Sequence, residues 1–499
     1  MLSAPRADLV ANTYDYENAP LVKATGFREY DARWLFGPDI NLLGVEALGL
    51  GLGSYFQERG QRRVVVGHDY RSYSLSIKQA LCLGLMTAGC EVLDIGLAIT
   101  PMAYFAQFEL DAPCVAMVTA SHNENGWTGV KMGSQRPLTF GPDEMSRLKE
   151  IVLSGAGVER PGGQLVRVDG VRERYLDDIT RRVQVKRKLR VICACGNGTA
   201  GAFAPQALAA MGVEVIPMDT DLDWTFPKYN PNPEDHEMLM SMAEAVRREG
   251  ADLALGFDGD GDRCGVVDDT GEEIFADKIG LMLARDLSAL HKNATFIVDV
   301  KSTGLYATDP ILKANGATTV YWKTGHSYIK RKTAELGALA GFEKSGHFFF
   351  NTPIGRGYDD GIVAASAVLA MLDRNPGKTL SELKNALPLA FTSLTMSPHC
   401  ADEAKYATVD AIVKEYQDLA AAGGTILGRR IKEVITVNGV RVALEDGSWV
   451  LVRASSNKPE MVVVVESMSS ADDMRALFRD EVKPRLAKYP AVGAYNQEI

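Results

Sequence analysis

Two short segments of this chain carry the residue types that phosphoryl transfer requires. Thr119–Lys131 (TASHNENGWTGVK) follows an apolar run and contains Ser121, His122 and Lys131. Asp258–Asp262 (DGDGD) places three carboxylates at alternate positions. A serine hydroxyl can carry phosphate, and a carboxylate cluster can hold a divalent cation. The two segments together therefore predict phosphoryl-transfer chemistry.

The aspartate segment predicts a site for a hard divalent cation. If the segment is extended, Asp258, Asp260 and Asp262 face the same side, because residues two apart do so in a strand. Such a concentration of negative charge needs a cation to offset it, and oxygen-only ligation suits Mg²⁺. An EF-hand loop also begins D-x-D-x-D, but Arg263 and Asp269 stand where it requires glycine and glutamate. A polar surface loop is the remaining alternative.

Ser121 is the candidate nucleophile. Serine reacts only when a base activates it or when it already carries phosphate. The adjacent His122 does not by itself imply a Ser–His pair, because neighbours in sequence often point apart. The G-x-S-x-G elbow of esterases is absent from this segment. Lys131 is a candidate acid, base or phosphate ligand, although a single lysine is usually a solvated charge.

A third segment offers groups that could contact a sugar. In an extended chain, Glu343, Ser345 and His347 would share one side. The first two suit hydroxyl groups, and a histidine can transfer protons near neutral pH. A second histidine, His326, closes the segment Lys323–His326 at the end of another predicted strand. Either histidine alone could equally be an ordinary polar contact.

A fourth segment, between two predicted strands near the C-terminus, is dense in hydrogen-bond donors. An arginine with neighbouring hydroxyl, amide and ammonium groups suits a phosphate dianion, and a polar hairpin is the alternative. The candidate phosphate ligands are Arg453, Ser455, Ser456, Asn457 and Lys458.

Composition limits the class of protein. The chain has 499 residues, a formal charge of −10 and 46% hydrophobic residues. This length predicts roughly three to four domains. The acidic balance disfavours nucleic acid as a partner. No apolar run reaches the roughly 18 residues of a membrane helix, and the N-terminus lacks a signal-peptide core, so we expect no membrane partner. The scattered cysteines favour reduced thiols in a cytoplasmic protein.

Strands and helices alternate in three similar stretches, which predicts α/β domains with mixed, mainly parallel sheets. The last hundred or so residues read instead as an α+β domain. The predicted domains are residues 1–163, 164–290, 291–398 and 399–499. In each α/β stretch a polar loop follows the last strand, and open α/β sheets bind ligands at such strand ends.

The ordered set of these segments resembles the α-D-phosphohexomutase family, most closely its bacterial phosphomannomutase/phosphoglucomutase branch. Further similar segments are Phe27–Arg33 (FREYDAR), Val66–Arg71 (VGHDYR), Gly96–Pro101 (GLAITP) and Asn230–Glu234 (NPNPE). The resemblance covers nearly the whole chain. The chain departs from the family pattern at Glu124, Thr128, Ala194 and 457–459, which leaves the preferred sugar open.

The resemblance implies four domains arranged around a central cleft and a mutase that moves phosphate between O6 and O1 of a hexose. The sugar would be mannose and/or glucose, with phosphoglucosamine as the alternative within the family. Phosphorylated Ser121 would donate to the substrate through a hexose 1,6-bisphosphate, with Mg²⁺ held by Ser121, Asp258, Asp260 and Asp262.

The resemblance also assigns roles to the other candidates. Glu343 and Ser345 would contact sugar hydroxyls, and the C-terminal loop would hold the phosphate that is not transferred. The positions implicated in proton transfer or phosphate contact are Arg28, His122, Lys131, His326 and His347. The implied enzyme is a cytoplasmic monomer or homodimer. The alternatives of another class are a non-catalytic sugar-phosphate-binding protein and a phosphatase.

Overall fold

The chain folds into two compact units. The structure, a computed structural model, describes residues 3–455 and 458–499. One unit runs up to Ala276 and also contains Ser345–Ser381, whereas the other comprises the described residues of Asp277–Lys344 and Glu382–Ile499. Among the described residues, no helix has the length and apolar character needed to cross a bilayer. The seven cysteines are all free and buried.

The first sheet carries the nucleophile segment. Its strand order is β1-β5-β4-β2-β3-β6, in which β2, β3, β4 and β6 run parallel and β1 and β5 pair antiparallel. The elements are α1 (Tyr14–Asn18), β1 (Ala32–Leu35), α2 (Leu42–Glu58), β2 (Arg63–His68), α3 (Ser74–Thr87), β3 (Glu91–Leu97), α4 (Thr100–Glu109), β4 (Cys114–Val118), β5 (Trp127–Gly133), α5 (Pro142–Leu153) and β6 (Gln164–Arg167).

The second sheet carries the aspartate segment. Its strand order is β11-β10-β9-β7-β8, with β7 parallel to both β8 and β9, and with β9 antiparallel to β10. The elements are α6 (Val171–Thr180), β7 (Arg190–Ala194), α7 (Ala204–Ala210), β8 (Glu214–Met218), α8 (His236–Glu249), β9 (Leu253–Phe257), β10 (Cys264–Asp268) and β11 (Glu273–Ile274).

In the third α/β region, β12 pairs in parallel with both β13 and β14. The chain between β12 and β13 forms two short helices, because Asp309 ends the first and caps the second, which begins with Pro310. The elements are α9 (Ala276–Leu290), β12 (Thr295–Asp299), α10 (Leu305–Thr308), α11 (Pro310–Ala314), β13 (Thr318–Trp322), α12 (His326–Glu335), β14 (Ala340–Phe342), β15 (Phe348–Phe350), α13 (Gly361–Arg374) and α14 (Leu380–Asn385). Of these, β15 and α13 belong to the first unit.

The C-terminal region differs from the other three, since its sheet is antiparallel throughout its order β16-β21-β20-β19-β18-β17. The elements are β16 (Phe391–Thr392), α15 (Asp402–Ala421), β17 (Thr425–Ile426), β18 (Arg429–Ile435), β19 (Val440–Leu444), β20 (Trp449–Ala454), β21 (Met461–Ser467), α16 (Ala471–Ala476) and α17 (Lys483–Leu486), with a π-helical stretch at Leu477–Val482. The predicted class, three α/β domains followed by an α+β domain, is confirmed.

Two buried strands position the chemistry. Every residue of β4 (CVAMV) and of β9 (LALGF) is buried, as expected for central strands of sheets covered on both faces. Thr119 follows β4 directly, and Asp258 follows β9 directly. The nucleophile segment and the aspartate segment therefore both begin at the carboxyl end of a central strand.

Candidate active site

The three aspartates lie in the turn that joins β9 to β10. The prediction that an extended segment aligns them by alternation is wrong, because the chain reverses here and Gly261 adopts φ +73°. The turn nevertheless makes the carboxylates converge. One oxygen from each of Asp258, Asp260 and Asp262 lies within 4.8 Å of the others, and all three residues are fully buried.

This cluster fits a hard cation. Within the described residues, Oδ1 of Asp260 and Oδ1 of Asp262 are buried and accept no hydrogen bond. Buried polar atoms normally have a partner. The donor set is entirely carboxylate oxygen, which suits Mg²⁺. Asp258 is the member with protein partners on both oxygens, since Oδ1 accepts from the Arg263 backbone N–H at 3.2 Å and Oδ2 accepts from Ser121.

Lys131, in β5, partly offsets the negative charge. Its Nζ donates to Oδ2 of Asp260 at 2.8 Å and also to Oδ2 of Asp262. Burial disfavours the ammonium, but the attraction of Asp260 and Asp262 outweighs it, so the pKa of Lys131 is raised. Burial also opposes ionisation of Asp260, yet Lys131 lowers the pKa of that carboxyl. Burial, Asp262 and Asp260 together raise the pKa of Asp258 well above its usual range. Lys131 is thus a permanent positive charge rather than a proton carrier at neutral pH.

Ser121 faces the aspartates. Its φ of +52° lies in the left-handed region, which is uncommon for a residue with a side chain. Its Oγ donates to Oδ2 of Asp258 at 3.1 Å and lies 3.3 Å from Nδ1 of His122. The Ser–His contact that the sequence left open is therefore present. Burial, with the nearby charges of Arg263 and Arg33, lowers the pKa of His122 well below its ordinary value, so its ring is neutral.

A glycine allows the two segments to approach. A Cβ on Gly259 would lie 2.5 Å from the Ser121 carbonyl oxygen, so only glycine fits between the first and second aspartates of D-G-D-G-D. The Gly259 carbonyl accepts from the backbone N–H of Thr199 at 3.0 Å. Asn230 Nδ2 donates to the His122 carbonyl. This bond ties the NPNPE segment to residues 119–126, the serine loop, which carries Ser121 between β4 and β5.

Arg263 and His347 adjoin the aspartate cluster. Arg263 Nε donates to His347 Nε2 at 3.0 Å and lies 3.8 Å from Asp258 Oδ2. His347 Nδ1 lies 3.1 Å from Asp359 Oδ2 and 3.6 Å from Asp262 Oδ1. The predicted site residue His347 is therefore brought to the aspartates. Asp359, which the sequence reasoning missed, approaches the same ring nitrogen as Asp262.

The N-terminal segment FREYDAR contains two arginines, and only one contacts the serine loop. Arg33, in β1, pairs with Asp31 at 2.8 Å and donates to Asn123 Oδ1 at 2.5 Å. Arg28 precedes β1, and its backbone N–H donates to the Asp31 carbonyl at 2.9 Å. Arg33, which the sequence reasoning did not single out, is thus a further candidate beside the predicted Arg28.

The sugar-binding segment is also a turn rather than an extended chain, since Gly346 adopts φ +94°. Alternation therefore does not set the direction of its side chains. Glu343 follows β14 in the second unit and is buried, whereas Ser345 and His347 belong to the first unit. The predicted His326 is the first residue of α12, in the second unit, and is buried.

Asp299, missed in the sequence, organises these loops of the second unit. Fully buried at the end of β12, it accepts from Ser302 Oγ at 2.5 Å, from Thr324 Oγ1 at 3.1 Å and from the Lys344 N–H at 3.3 Å. These donors follow β12, β13 and β14 respectively. One carboxylate thus ties together the loops after three parallel strands, including the loop that carries Glu343.

The predicted phosphate loop follows β20. Arg453 is 8% exposed, and its Nη1 donates to the Ala454 carbonyl at 2.9 Å. The Lys458 N–H donates to Ser455 Oγ at 3.3 Å, and the Lys458 carbonyl accepts from Lys405 Nζ at 2.9 Å. The structure thus adds Lys405 to the cations of this loop. Two further predicted ligands, Ser456 and Asn457, lie outside the described residues.

Four consecutive segments match the domains of one family, described as phosphoglucomutase/phosphomannomutase. Residues 24–157, 173–271 and 275–391 match its alpha/beta/alpha domains I, II and III, and residues 399–483 match its C-terminal domain. A phosphomannomutase/phosphoglucomutase of Pseudomonas putida is 33% identical over 465 residues, which are 92% of this chain and 96% of that protein. The chain belongs to the phosphoglucomutase/phosphomannomutase family.

Other relatives agree with this membership. A phosphoglucomutase of Neisseria meningitidis serogroup A is 30% identical over 89% of this chain and 93% of its own length. The crystal structure of a phosphoglucomutase/phosphomannomutase family protein from Burkholderia thailandensis superposes with a TM-score of 0.84 and 30% identity, covering 94% of this chain and 99% of that one. The resemblance found in the sequence is confirmed, and the chain is an enzyme of the phosphotransferase mutase type.

Proposed function

We propose that this enzyme interconverts hexose 6-phosphate and hexose 1-phosphate, with mannose and/or glucose as the sugar. Phosphorylated Ser121 would be the phosphoryl donor, and a hexose 1,6-bisphosphate would be the intermediate and activator. The contact between Ser121 Oγ and Asp258 carries the proposal, because it joins a nucleophile to a cation site. The names of the Pseudomonas putida and Neisseria relatives support these sugars.

Each half-reaction is one phosphoryl transfer. A hydroxyl oxygen of the sugar monophosphate attacks the phosphorus on Ser121, the bond from phosphorus to Oγ breaks, and the hydroxyl proton passes to a base. The bisphosphate then presents its other phosphate. Ser121 Oγ, protonated after the first transfer, gives its proton to a base and attacks that phosphorus. The bond from phosphorus to the sugar oxygen breaks, the sugar oxygen takes up a proton, and the phosphoenzyme is restored. Water must be excluded throughout, since its attack would make the enzyme a phosphatase.

The residues around Ser121 suit these steps. Mg²⁺ held by Asp258, Asp260 and Asp262 would supply positive charge beside the phosphoryl oxygens. Lys131, charged and fixed by two carboxylates, adds a second positive charge at the same place. We assign proton transfer to the two histidines of this cluster. His122 Nδ1 lies 3.3 Å from Oγ, and His347 Nδ1 lies 3.6 Å from Asp262 Oδ1.

For the second unit, we propose that Glu343 contacts sugar hydroxyls, and we assign the same role to Ser345 of the first unit. We propose that the loop after β20 binds the phosphate that is not transferred. Burial of Arg453 and the nearby ammonium of Lys405 support this role, since both favour an anion. The remaining residues proposed for substrate contact are His326, Ser455, Ser456, Asn457 and Lys458. We further propose a cytoplasmic monomer or homodimer with domain boundaries as predicted from the sequence.

A coupled assay tests the proposal. Purified protein, Mg²⁺ and a trace of hexose 1,6-bisphosphate are incubated with mannose 1-phosphate, glucose 1-phosphate or glucosamine 1-phosphate, and 6-phosphate formation is followed. Glucosamine is included because a probable phosphoglucosamine mutase of Methanothermobacter thermautotrophicus is 30% identical over 82% of this chain. We expect the wild type to turn over mannose 1-phosphate or glucose 1-phosphate, and we expect Ser121→Ala to abolish this turnover. Preference for glucosamine phosphate would change the substrate, and release of inorganic phosphate alone would indicate a phosphatase.

A further inference from the structure

A buried arginine outside the predicted site donates hydrogen bonds to the backbone of the serine loop. Arg71 is 4% exposed. Its Nη2 donates to the carbonyls of Ser121 at 3.1 Å and Asn123 at 2.5 Å, and its Nη1 donates to the carbonyl of Glu124 at 3.1 Å. The planar guanidinium can make such a fork, and a lysine ammonium cannot reproduce it. The side chain is therefore committed to the loop rather than to a ligand.

Asp69 binds both Arg71 and the residue that precedes Ser121. Its Oδ2 lies 3.4 Å from Arg71 Nε and accepts from the Ala120 N–H at 3.2 Å. Its Oδ1 accepts from Ser74 Oγ at 2.5 Å and from the Arg71 N–H at 3.2 Å. The ion pair thus holds the loop immediately before and immediately after the nucleophile.

The second sheet domain supports Arg71 through an aromatic ring. The guanidinium carbon lies 5.2 Å from the centroid of Phe226, within the range of a cation–π contact. Phe226 adopts φ +48°, a left-handed conformation that is an outlier for a bulky residue and persists only where neighbours enforce it. Nearby, Asn125 Nδ2 of the serine loop donates to the Trp224 carbonyl at 2.7 Å.

We propose that Arg71 is a positioning residue that holds Ser121 in its left-handed conformation and directs Oγ at Asp258, with Phe226 supporting the guanidinium. The strain at Ser121 gives the physical reason, since the loop would relax to an ordinary conformation without the three carbonyl bonds. This inference rests on the proposed function, because it treats Ser121 as the group that exchanges phosphate.

The test compares Arg71→Lys with a matched control, Arg172→Lys. Arg172 donates from Nε and Nη2 to the Ala202 carbonyl, and its guanidinium carbon lies 5.4 Å from the Phe203 ring centroid. Its further bond is to Gln206, so among the described residues its hydrogen bonds lie outside the serine loop. Misplacing a reacting atom by about 1 Å can cost about 100-fold in rate. Arg71→Lys is therefore expected to lower kcat by about 100-fold with KM nearly unchanged, and Arg172→Lys to leave both close to wild type.

A rescue experiment separates positioning from a general loss of stability. A cavity of about 10 Å³ lies beside Ser121 and is lined by Asp69, Tyr70, Arg71 and Phe226, among others. Truncation of Arg71 to alanine would add the volume of the lost side chain to this space, and Tyr70 at its wall is 36% exposed. Added guanidinium ion at millimolar concentration is expected to restore kcat in Arg71→Ala, whereas methylammonium is not. If Arg71→Ala does not fold, the rescue experiment is replaced by hydrogen exchange of Arg71→Lys. We expect the amides of residues 119–131 to exchange faster than in the wild type, and the rest of the chain to exchange at the wild-type rate.

The outcomes decide between the two proposals. Wild-type protein without mutase activity would end the proposed function. An active wild type together with an equally active Arg71→Lys would overturn only the positioning role. That role would also fall if Arg71→Lys and Arg172→Lys lost activity equally, if KM alone changed, or if neither rescue nor faster exchange of the serine loop were observed.

Discussion

The hydroxyl of Ser121 donates a 3.1 Å hydrogen bond to the carboxylate of Asp258, which lies 137 positions later in the chain. The two residues follow the central strands β4 and β9 of different sheets. The nucleophile loop and the cation-binding turn are thus brought together by the packing of two domains within one compact unit. Gly259 makes this approach possible, as any side chain there would collide with the Ser121 carbonyl.

Replacing Asp260 with Asn should weaken Mg²⁺ binding. The substitution removes one of three converging charges, and we expect the concentration of Mg²⁺ needed for half-maximal activity to rise by at least about 10-fold. Titration calorimetry and activation curves measure the effect. Asp268→Asn is the matched control, because Asp268 is equally buried in β10 and its carboxylate accepts hydrogen bonds from Thr270 and from the Glu272 N–H in the turn that follows. Identical Mg²⁺ affinities in both variants would remove Asp260 from the cation site.

Replacing Lys131 with Met should make stability depend on Mg²⁺. Breaking a buried ion pair costs about 3–5 kcal/mol, since the partner charges are left uncompensated. A bound cation can replace the lost ammonium, so Mg²⁺ should raise the Tm of Lys131→Met more than that of the wild type. The control is Lys78→Met, which breaks the equally buried pair with Asp94 at 2.6 Å. Equal Mg²⁺ responses in the two variants would contradict the account.

Replacing Asp360 with Asn should flatten the dependence of stability on pH. Burial raises the pKa of this carboxyl, the N-cap of α13, to about 7. A raised folded-state pKa means that stability is fully present below the unfolded pKa of about 4 and is lost as pH rises through about 7. The full loss over this range is on the order of 4 kcal/mol, because each pKa unit corresponds to about 1.4 kcal/mol. Asparagine keeps the cap and cannot ionise, so Asp360→Asn should lose less Tm between about pH 5 and about pH 8 than the wild type does.

The control for that comparison is Asp235→Asn, at the more exposed N-cap of α8, which accepts two backbone N–H groups in the same way. It should change Tm by the same amount at both pH values. A wild-type difference that persists unchanged in Asp360→Asn would show that another group sets the pH dependence.

Replacing Arg453 with Ala should weaken substrate binding. Charge-assisted hydrogen bonds contribute roughly 1.5–3 kcal/mol, so KM for hexose phosphates should rise about 10- to 100-fold. Steady-state kinetics measure this change, with Arg475→Ala as the control, since Arg475 is exposed and pairs only with Asp472. An unchanged KM in Arg453→Ala would show that the loop after β20 does not hold the phosphate.

The sequence was most informative where local pattern and burial agree. The apolar run that precedes Thr119 is the strand Cys114–Val118, which ends where the polar segment begins. The two hairpin strands β5 and β10, which turn back after the chemical loops, were not predicted. Their sequences are interrupted by glycine, and β5 buries Lys131, which reads as a solvated charge until the aspartates opposite it are known.

Helix α2 shows how packing can override propensity. Its sequence, LLGVEALGLGLGSYFQE, contains glycines that disfavour a helix, so no helix was predicted there. The structure gives the reason for them. A Cβ on Gly49 would lie 2.3 Å from the Leu81 carbonyl, and one on Gly84 would lie 2.0 Å from the Glu46 carbonyl. The glycines allow α2 and α3 to pack with their backbones almost in contact.

In the site, residue types were predictable and their geometry was not. The convergence of the aspartates was expected, but through alternation instead of a turn. Asp69, Arg71 and Asp299 were missed because their role is to hold loops in place, which has no signature beyond polar residues at or just after the end of an apolar strand.

Transfer of label from a bisphosphate tests the central claim most directly. Protein incubated with radiolabelled hexose 1,6-bisphosphate and Mg²⁺ is digested, and the labelled peptide is sequenced before and after a chase with unlabelled glucose 6-phosphate or mannose 6-phosphate. We expect the label on Ser121, and we expect the chase to move it to the sugar. Label on another residue, or label on Ser121 that the chase does not remove, would contradict the account.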